Sequence, residues 1–146
     1  MTTTPPEAYA EQLAREIPAG SAIAAMGITP VAVENGTASA RMVLGAHHLN
    51  QAGVVQGGVY ALFADATAGF AAMSALPDEK TFATLEMRVN LLRGVQPGTE
   101  LVAEATPIHL GGTTMLFEVR VWDQASTRDR PAAYFVCTQL VMNKTP

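Results

Sequence analysis

One carboxylate stands alone in an oily stretch of this chain. From Val54 to Leu76 the sequence runs 23 residues with a single charge, Asp65. A run of that length could span a bilayer. The acid at its middle, Gln56 with Gly57-Gly58 near its start, and the lack of a basic flank favour a buried helix of a soluble domain. At helical spacing the neighbours of Asp65 are Ala61, Leu62, Ala68 and Gly69, none able to pair with it. Stranding a carboxylate this way costs about several kcal/mol unless it is hydrogen-bonded, paired or put to use. Two readings follow. Asp65 is a structural acid capped by a distant backbone or arginine group, or it is a catalytic base or nucleophile whose pKa is raised by desolvation.

A second feature precedes it. In Gly53-Val54-Val55-Gln56-Gly57-Gly58 a loop turns into the helix. Glycines there leave backbone N–H groups accessible at the positive end of the helix dipole, a site suited to a phosphate or a developing oxyanion. Entry-turn geometry alone also explains a Gly-Gly pair. The segment is not a nucleotide-hydrolase phosphate loop, because no lysine follows. Gly57 and Asp65 are eight residues apart, ~12 Å along a helix at about 1.5 Å per residue. One helix therefore cannot present both to the same carbon. If both serve one reaction, two copies of the helix must meet, which calls for at least a dimer.

The surrounding pattern says what positions these groups. Pro5-Pro6 opens a short helix ended by Pro18 and Gly20, and Ser21 is placed to cap a second helical piece through Met26. Ile28–Glu34 and Thr37–Leu44 flank Asn35-Gly36, a strong hairpin signal. After the long helix come four strand-like stretches: Thr81–Leu92, Thr99–His109 with a bulge or edge at Pro107, Thr114–Asp123 and Ala132–Met142. In the first of them strict alternation puts Leu85, Met87, Val89 and Leu91 on one face and Thr84, Glu86, Arg88 and Asn90 on the other. A helix apolar almost all round must be wrapped. About six antiparallel strands curved around one helix satisfy that demand, an α+β arrangement. Residues 1–27 read as an N-terminal helical segment and 28–146 as the main domain, one domain overall.

Composition narrows the function. The 146 residues carry nine basic and thirteen acidic side chains, a net charge of −4, which argues against nucleic acid as a partner. Only 15% of residues are charged against 49% hydrophobic, consistent with surface buried between copies. The one cysteine, Cys137, lies in an alternating apolar stretch and excludes an intrachain disulfide; a buried strand thiol is the expectation. His47 and His48 lack ligand partners at metal-binding spacing, so no metal is expected. The segment from Met1 to Pro6 lacks the basic start and apolar core of a signal peptide, and a cytoplasmic location without membrane association is expected.

These residues resemble a known family. His48-Leu49-Asn50-Gln51-Ala52-Gly53-Val54-Val55-Gln56-Gly57-Gly58 followed by Asp65 is similar to the signature of the hot-dog-fold acyl-CoA thioesterases, in the branch of phenylacetate-pathway (PaaI-like) and 4-hydroxybenzoyl-CoA thioesterase-like enzymes. The likeness continues through Asn90-Leu91-Leu92-Arg93-Gly94-Val95, Gly98 and His109-Leu110-Gly111-Gly112-Thr113-Thr114. It implies a hot-dog fold, hydrolysis of an acyl-CoA to free acid and coenzyme A, and a homodimer or dimer of dimers with sites at the subunit interface. No cofactor is implied beyond the coenzyme A of the substrate. Asp65 then corresponds to the catalytic carboxylate and Gly57 to the N–H that polarises the thioester carbonyl. Asn50 matches the amide that orients carbonyl or water, and Thr84 falls where a hydroxyl helps hold the water. On the substrate side the resemblance implicates His48, Gly58 and Arg93. Arg93, Arg88, Arg128 and Arg130 are candidates for the coenzyme A phosphates, and the Gly111-Gly112-Thr113 turn offers backbone N–H groups.

Gln56 departs from the pattern, which has histidine there; a glutamine exchanges hydrogen bonds but does not titrate near neutrality. That substitution favours an alternative, a non-catalytic acyl-CoA or acyl-carrier binder. A hydratase ranks last, since no histidine stands at a suitable place in the motif. Tyr60, Phe63, Phe70 and Met73 suggest room for an aromatic or medium-length acyl group, though core packing explains them equally well.

Overall fold

Asn35 and Gly36 adopt φ of 46° and 82°, the positive pair that a tight two-residue hairpin turn requires, and so fix the first hairpin. In the computed structural model, which describes residues 4–145, that hairpin is β1 (Thr29–Glu34) and β2 (Thr37–Val43). Residues 1–3, at the head of the expected N-terminal segment, and residue 146 lie outside the described residues. Ahead of β1 stand α1 (Pro6–Glu16) and α2 (Ala22–Met26). Ser21 Oγ accepts the Ala24 N–H at 3.2 Å, the expected cap, and Gly27 closes α2 at φ 70°. A single 3₁₀ turn at Ala46–His48 leads to the long helix α3 (Gly57–Ala75). It begins three residues after the apolar run does, because Asn50 to Gln56 are held in a loop by their own backbone bonds. Strands β3 (Lys80–Leu91), β4 (Glu100–Leu110), β5 (Thr114–Asp123) and β6 (Ala133–Asn143) follow.

All six strands form one antiparallel sheet in the order β1-β2-β4-β5-β6-β3, in contact with α3 along its whole width. This is the hot-dog arrangement. Alternation explains the packing: Ala38, Ala40 and Met42 on β2, Leu101, Ala103 and Ala105 on β4, and Phe117, Val119 and Val121 on β5 all face the helix and are buried. The helix answers with Phe63, Ala64, Ala68, Phe70, Ala71 and Ala72, whose many small side chains let the sheet close on it. The two edges of the sheet differ. Next to β1 packs α1, which buries Ala10 and Leu13. Among the described residues β3 has no further strand beside it, and Leu85, Met87 and Leu91 on it are exposed. Among the described residues no helix is long and apolar enough to cross a membrane.

Two bulges matter. One falls between Pro107 and His109, as the proline suggests. The other lies between Thr84 and Glu86, which pair with the adjacent residues Gln139 and Thr138 and leave Leu85 out of register. It corrects the strict alternation expected for β3. Thr84 stands on the helix side with Met87, Val89 and Leu91, and not with Glu86, Arg88 and Asn90.

Candidate active site

Asp65 lies midway along α3, half-buried, facing β3. Because of the bulge, the Thr84 hydroxyl reaches it and donates to Oδ1 at 2.9 Å. No cation pairs with Asp65 among the described residues. Burial pushes its carboxyl above the ordinary aspartate range, and the Thr84 hydrogen bond opposes that push. Behind Thr84, on β6, Gln139 is fully buried with its Oε1 at 3.1 Å from Thr84 Oγ1 and its Nε2 at 3.5 Å from Cys137 Sγ. Cys137 is a buried strand thiol, pushed up to about 12 chiefly by burial, with smaller opposing contributions from hydrogen bonds and a further rise from the Asp65 charge. It therefore stays protonated at neutral pH. Neither Gln139 nor Cys137 was singled out as a site residue from the sequence. The signal was present, since Gln139 is the polar member of the inward series Ala133, Phe135, Cys137, Gln139.

At the helix start, Gln56 caps through its backbone only. Its side chain is exposed and makes no capping bond. The Gly57 and Gly58 N–H groups have no acceptor among the described residues, as the first turn of a helix leaves them. A Cβ on Gly57 would lie 2.8 Å from Leu91 Cδ1, the end of an exposed side chain that can move aside. Asn50 shapes the approach loop, its Oδ1 accepting the Ala52 N–H at 2.9 Å and the Val54 N–H at 3.4 Å. The loop is tied further by Asn50 N–H to Val54 C=O (2.8 Å) and Gln56 N–H to His48 C=O (2.9 Å).

His48 is turned away from this cluster. Its Nδ1 accepts the Gly45 N–H at 2.8 Å, so Nε2 carries the proton and donates to Met26 C=O at 2.9 Å. With both nitrogens used and the ring buried, it braces the loop against α2. Arg93 is engaged too. It donates to the buried Asp123 Oδ2 at 2.7 Å and to Arg130 C=O at 3.2 and 3.3 Å. Arg128 is held by Glu104 at 2.6 Å. Arg93 nonetheless lines a cleft of about 530 Å³ together with Gly53–Val55, Tyr60 and residues 91–97, directly beside the helix start. The Gly111-Gly112-Thr113 turn joins β4 to β5 and is closed by Gly111 N–H to Thr114 C=O at 2.9 Å. That leaves the exposed Gly112 and Thr113 as its open part. Tyr60, Phe63 and Phe70 are core residues, whereas Met73 is exposed.

One chain thus brings Asp65 and Thr84 together and holds Gly57 apart from them. The local order is informative. Leu91 covers Gly57, Thr84 touches Asp65, and Phe82 lies against Gly69, so β3 runs antiparallel beside α3.

Comparison with known proteins agrees with this architecture. The solved structure of a thioesterase from Haemophilus influenzae is 26% identical and superposes with a TM-score of 0.84, covering 98% of this chain and 93% of that one. The PaaI protein of the Escherichia coli phenylacetic acid degradation operon (23% identity, TM-score 0.80, 96% and 98% covered) shares the fold. So does a Streptococcus mutans protein solved bound to acetyl CoA (24% identity, TM-score 0.72, 82% and 91% covered). The sequence pattern of the Thioesterase superfamily matches residues 52–128, more than half of the chain, which takes in the helix start, Asp65, Thr84 and the glycine turn. This protein belongs to the thioesterase superfamily.

Proposed function

We propose that the protein hydrolyses acyl-CoA thioesters to free acid and coenzyme A at sites formed between two copies of the chain. The observation that carries this reading is the half-buried Asp65, raised in pKa, without a cation, and steadied by one hydroxyl on its open edge. A carboxylate desolvated to that degree is a stronger base and nucleophile than one in water. The unpaired N–H groups at Gly57 and Gly58 supply the complementary charge for an oxyanion.

The geometry of β3 supports the dimer. An open edge strand with exposed Leu85, Met87 and Leu91 invites pairing with its own copy. If two β3 strands pair antiparallel about a two-fold axis at Arg88, the bulge that skips Leu85 puts Thr84 opposite Leu91 of the partner subunit. Asp65 then approaches Gly57 of the partner subunit, which is what the helix spacing requires. The carbonyl oxygen sits on that N–H. Asp65 either takes a proton from water as the water oxygen attacks the carbonyl carbon, or attacks it directly to give an acyl anhydride that water then opens. In both cases the C–S bond breaks, the thiolate leaves and takes up a proton, and the products are acid and coenzyme A thiol. Thr84 holds the carboxylate, Asn50 shapes the loop, and the cleft beside Arg93 receives the coenzyme A arm. The cleft volume falls within the range of small-molecule sites, with Tyr60 in its wall. An aromatic or medium-length acyl group and a cytoplasmic location are part of the same proposal.

Gln56 favours the second reading, a binder without turnover. Thiol release over a panel of aromatic, short and long acyl-CoAs, run beside Gln56→His, separates the two. Native turnover that Asp65→Asn abolishes supports the enzyme. Protection from thermal unfolding with no thiol released supports the binder.

A further inference from the structure

The Thr84 hydroxyl has more neighbours than protons. It lies 2.9 Å from Asp65 Oδ1 and 3.1 Å from Gln139 Oε1. Both are acceptors, and one hydroxyl carries one hydrogen. Whichever oxygen is denied it faces another oxygen at about 3 Å in a buried place, an arrangement that costs a hydrogen bond and adds repulsion. At the far end of the same amide, Nε2 meets Cys137 Sγ at 3.5 Å, a weak acceptor, while the Cys137 S–H proton goes unused. Turning the amide over exchanges its oxygen and nitrogen in place, and the two atoms are told apart by their hydrogen bonds alone.

We propose that Gln139 is a positioning residue for Asp65, its Nε2–H donating to Thr84 Oγ1 and its Oε1 accepting the Cys137 S–H, so that the Thr84 proton is committed to Asp65 Oδ1. Cys137, Gln139 and Thr84 then each donate one hydrogen bond, all running in one direction toward Asp65. The fully buried Gln139 has no solvent to turn to, and a committed proton on Oδ1 reserves Oδ2 for the reaction. No other described residue hydrogen-bonds to Oδ2. The inference rests on the assignment of Asp65 as the catalytic carboxylate. The groups facing Asp65 leave its titration uncoupled. Its helix neighbours Ala61, Leu62, Ala68 and Gly69 carry no charge, β3 offers Thr84, and β6 offers Gln139 and the neutral Cys137 thiol.

The first test needs no variant. In the native protein, nuclear Overhauser contacts from the Gln139 side-chain NH₂ should reach the Thr84 methyl group; contacts to the Cys137 β protons instead overturn the proposal. The second test follows Asp65 ionisation by carboxyl ¹³C NMR, assigned through Asp65→Asn. Gln139→Met, which keeps the volume and removes the donor, should raise the Asp65 midpoint by about one pH unit, as Thr84→Val does, and the double variant should add nothing further. In turnover, Gln139→Met should lower kcat about tenfold at unchanged KM and move the acid limb of the pH profile upward with the NMR midpoint. Additive effects, or an Asp65 midpoint that Gln139→Met leaves in place, overturn it. The NMR readouts are independent of turnover. Absence of thioesterase activity in the native protein, with the midpoint shift intact, would sink the proposed function alone, and normal hydrolysis by Gln139→Met would sink this inference alone.

Discussion

At the scale of single residues, the chemistry of the site and the stability of the protein pull in opposite directions at Asp65. Its folded-state pKa is raised, mainly by burial, so the native state binds the proton more tightly than the unfolded chain does. Between the ordinary aspartate value and the raised one, the native state holds more protons than the unfolded state, and stability falls as pH rises. Above that window the whole penalty of a desolvated charge remains. Asp65→Asn removes the charge and keeps an oxygen for the Thr84 hydroxyl. The variant should be more stable than the native protein at pH 7, the gap closing as pH falls through the raised value toward the ordinary aspartate value, while hydrolysis falls by about 10²–10⁴. Thermal unfolding across pH beside thiol release checks both halves. A variant less stable at pH 7 would mark Asp65 as a structural acid. Among its neighbours, His48 teaches the converse lesson. The motif put it at the site, but its ring is committed to Gly45 and Met26. Type and spacing tell which residues can do chemistry, and only the hydrogen-bond partners tell which are free to.

At the scale of elements, the hairpin, the helix and four further strands were legible because each has a local cause: Asn-Gly for the turn, proline and serine at helix starts, alternation for the strands. The face of Thr84 was not legible. A bulge shifts the parity of β3 between Thr84 and Glu86, and nothing in Thr84-Leu85-Glu86 announces it as Pro107 announces the other. The roles of Gln139 and Arg93 were equally hidden, since both depend on partners distant in sequence. Two element-level predictions follow from backbone geometry. Gly36 has φ 82° and a Cβ there would meet Leu110 Cδ1 at 3.1 Å, so Gly36→Ala should destabilise by about 1 kcal/mol in urea unfolding while kcat stays put. Gly57 is the first residue of α3, a position where proline fits, and Gln56 already holds φ −63° and ψ 131°, the extended geometry a following proline wants. Gly57→Pro therefore deletes the oxyanion donor and keeps the helix, at the expense of moving the exposed Leu91 side chain. Its kcat should fall about 10²–10³-fold with the circular dichroism spectrum unchanged, and near-native hydrolysis would remove Gly57 from the mechanism.

At the scale of the whole molecule, two facts meet: a chain with few charges, and a sheet open at only one apolar edge. Met87 and Leu91 stand on the helix side of the sheet but are only partly covered by their own helix, at 46% and 53% exposure. In the proposed dimer a second copy's helix covers the rest, and burying the exposed half of each side chain contributes roughly 1 kcal/mol. The site is then shared, with Asp65 from one subunit and Gly57 from the other, and sharing has a quantitative signature. Asp65→Asn and Gly57→Pro homodimers are each crippled, because every site in them lacks one partner. Unfolded together in equal amounts and refolded, half of the dimers are mixed. In each mixed dimer one site receives both defects and the other receives neither, so the mixture should recover about a quarter of native activity. If instead each site drew Gly57 and Asp65 from the same chain, every site in every mixed dimer would carry exactly one defect, and refolding together would restore nothing. The complementation assay therefore reports on the path of the chemistry across the two-fold axis and not merely on whether the protein is dimeric.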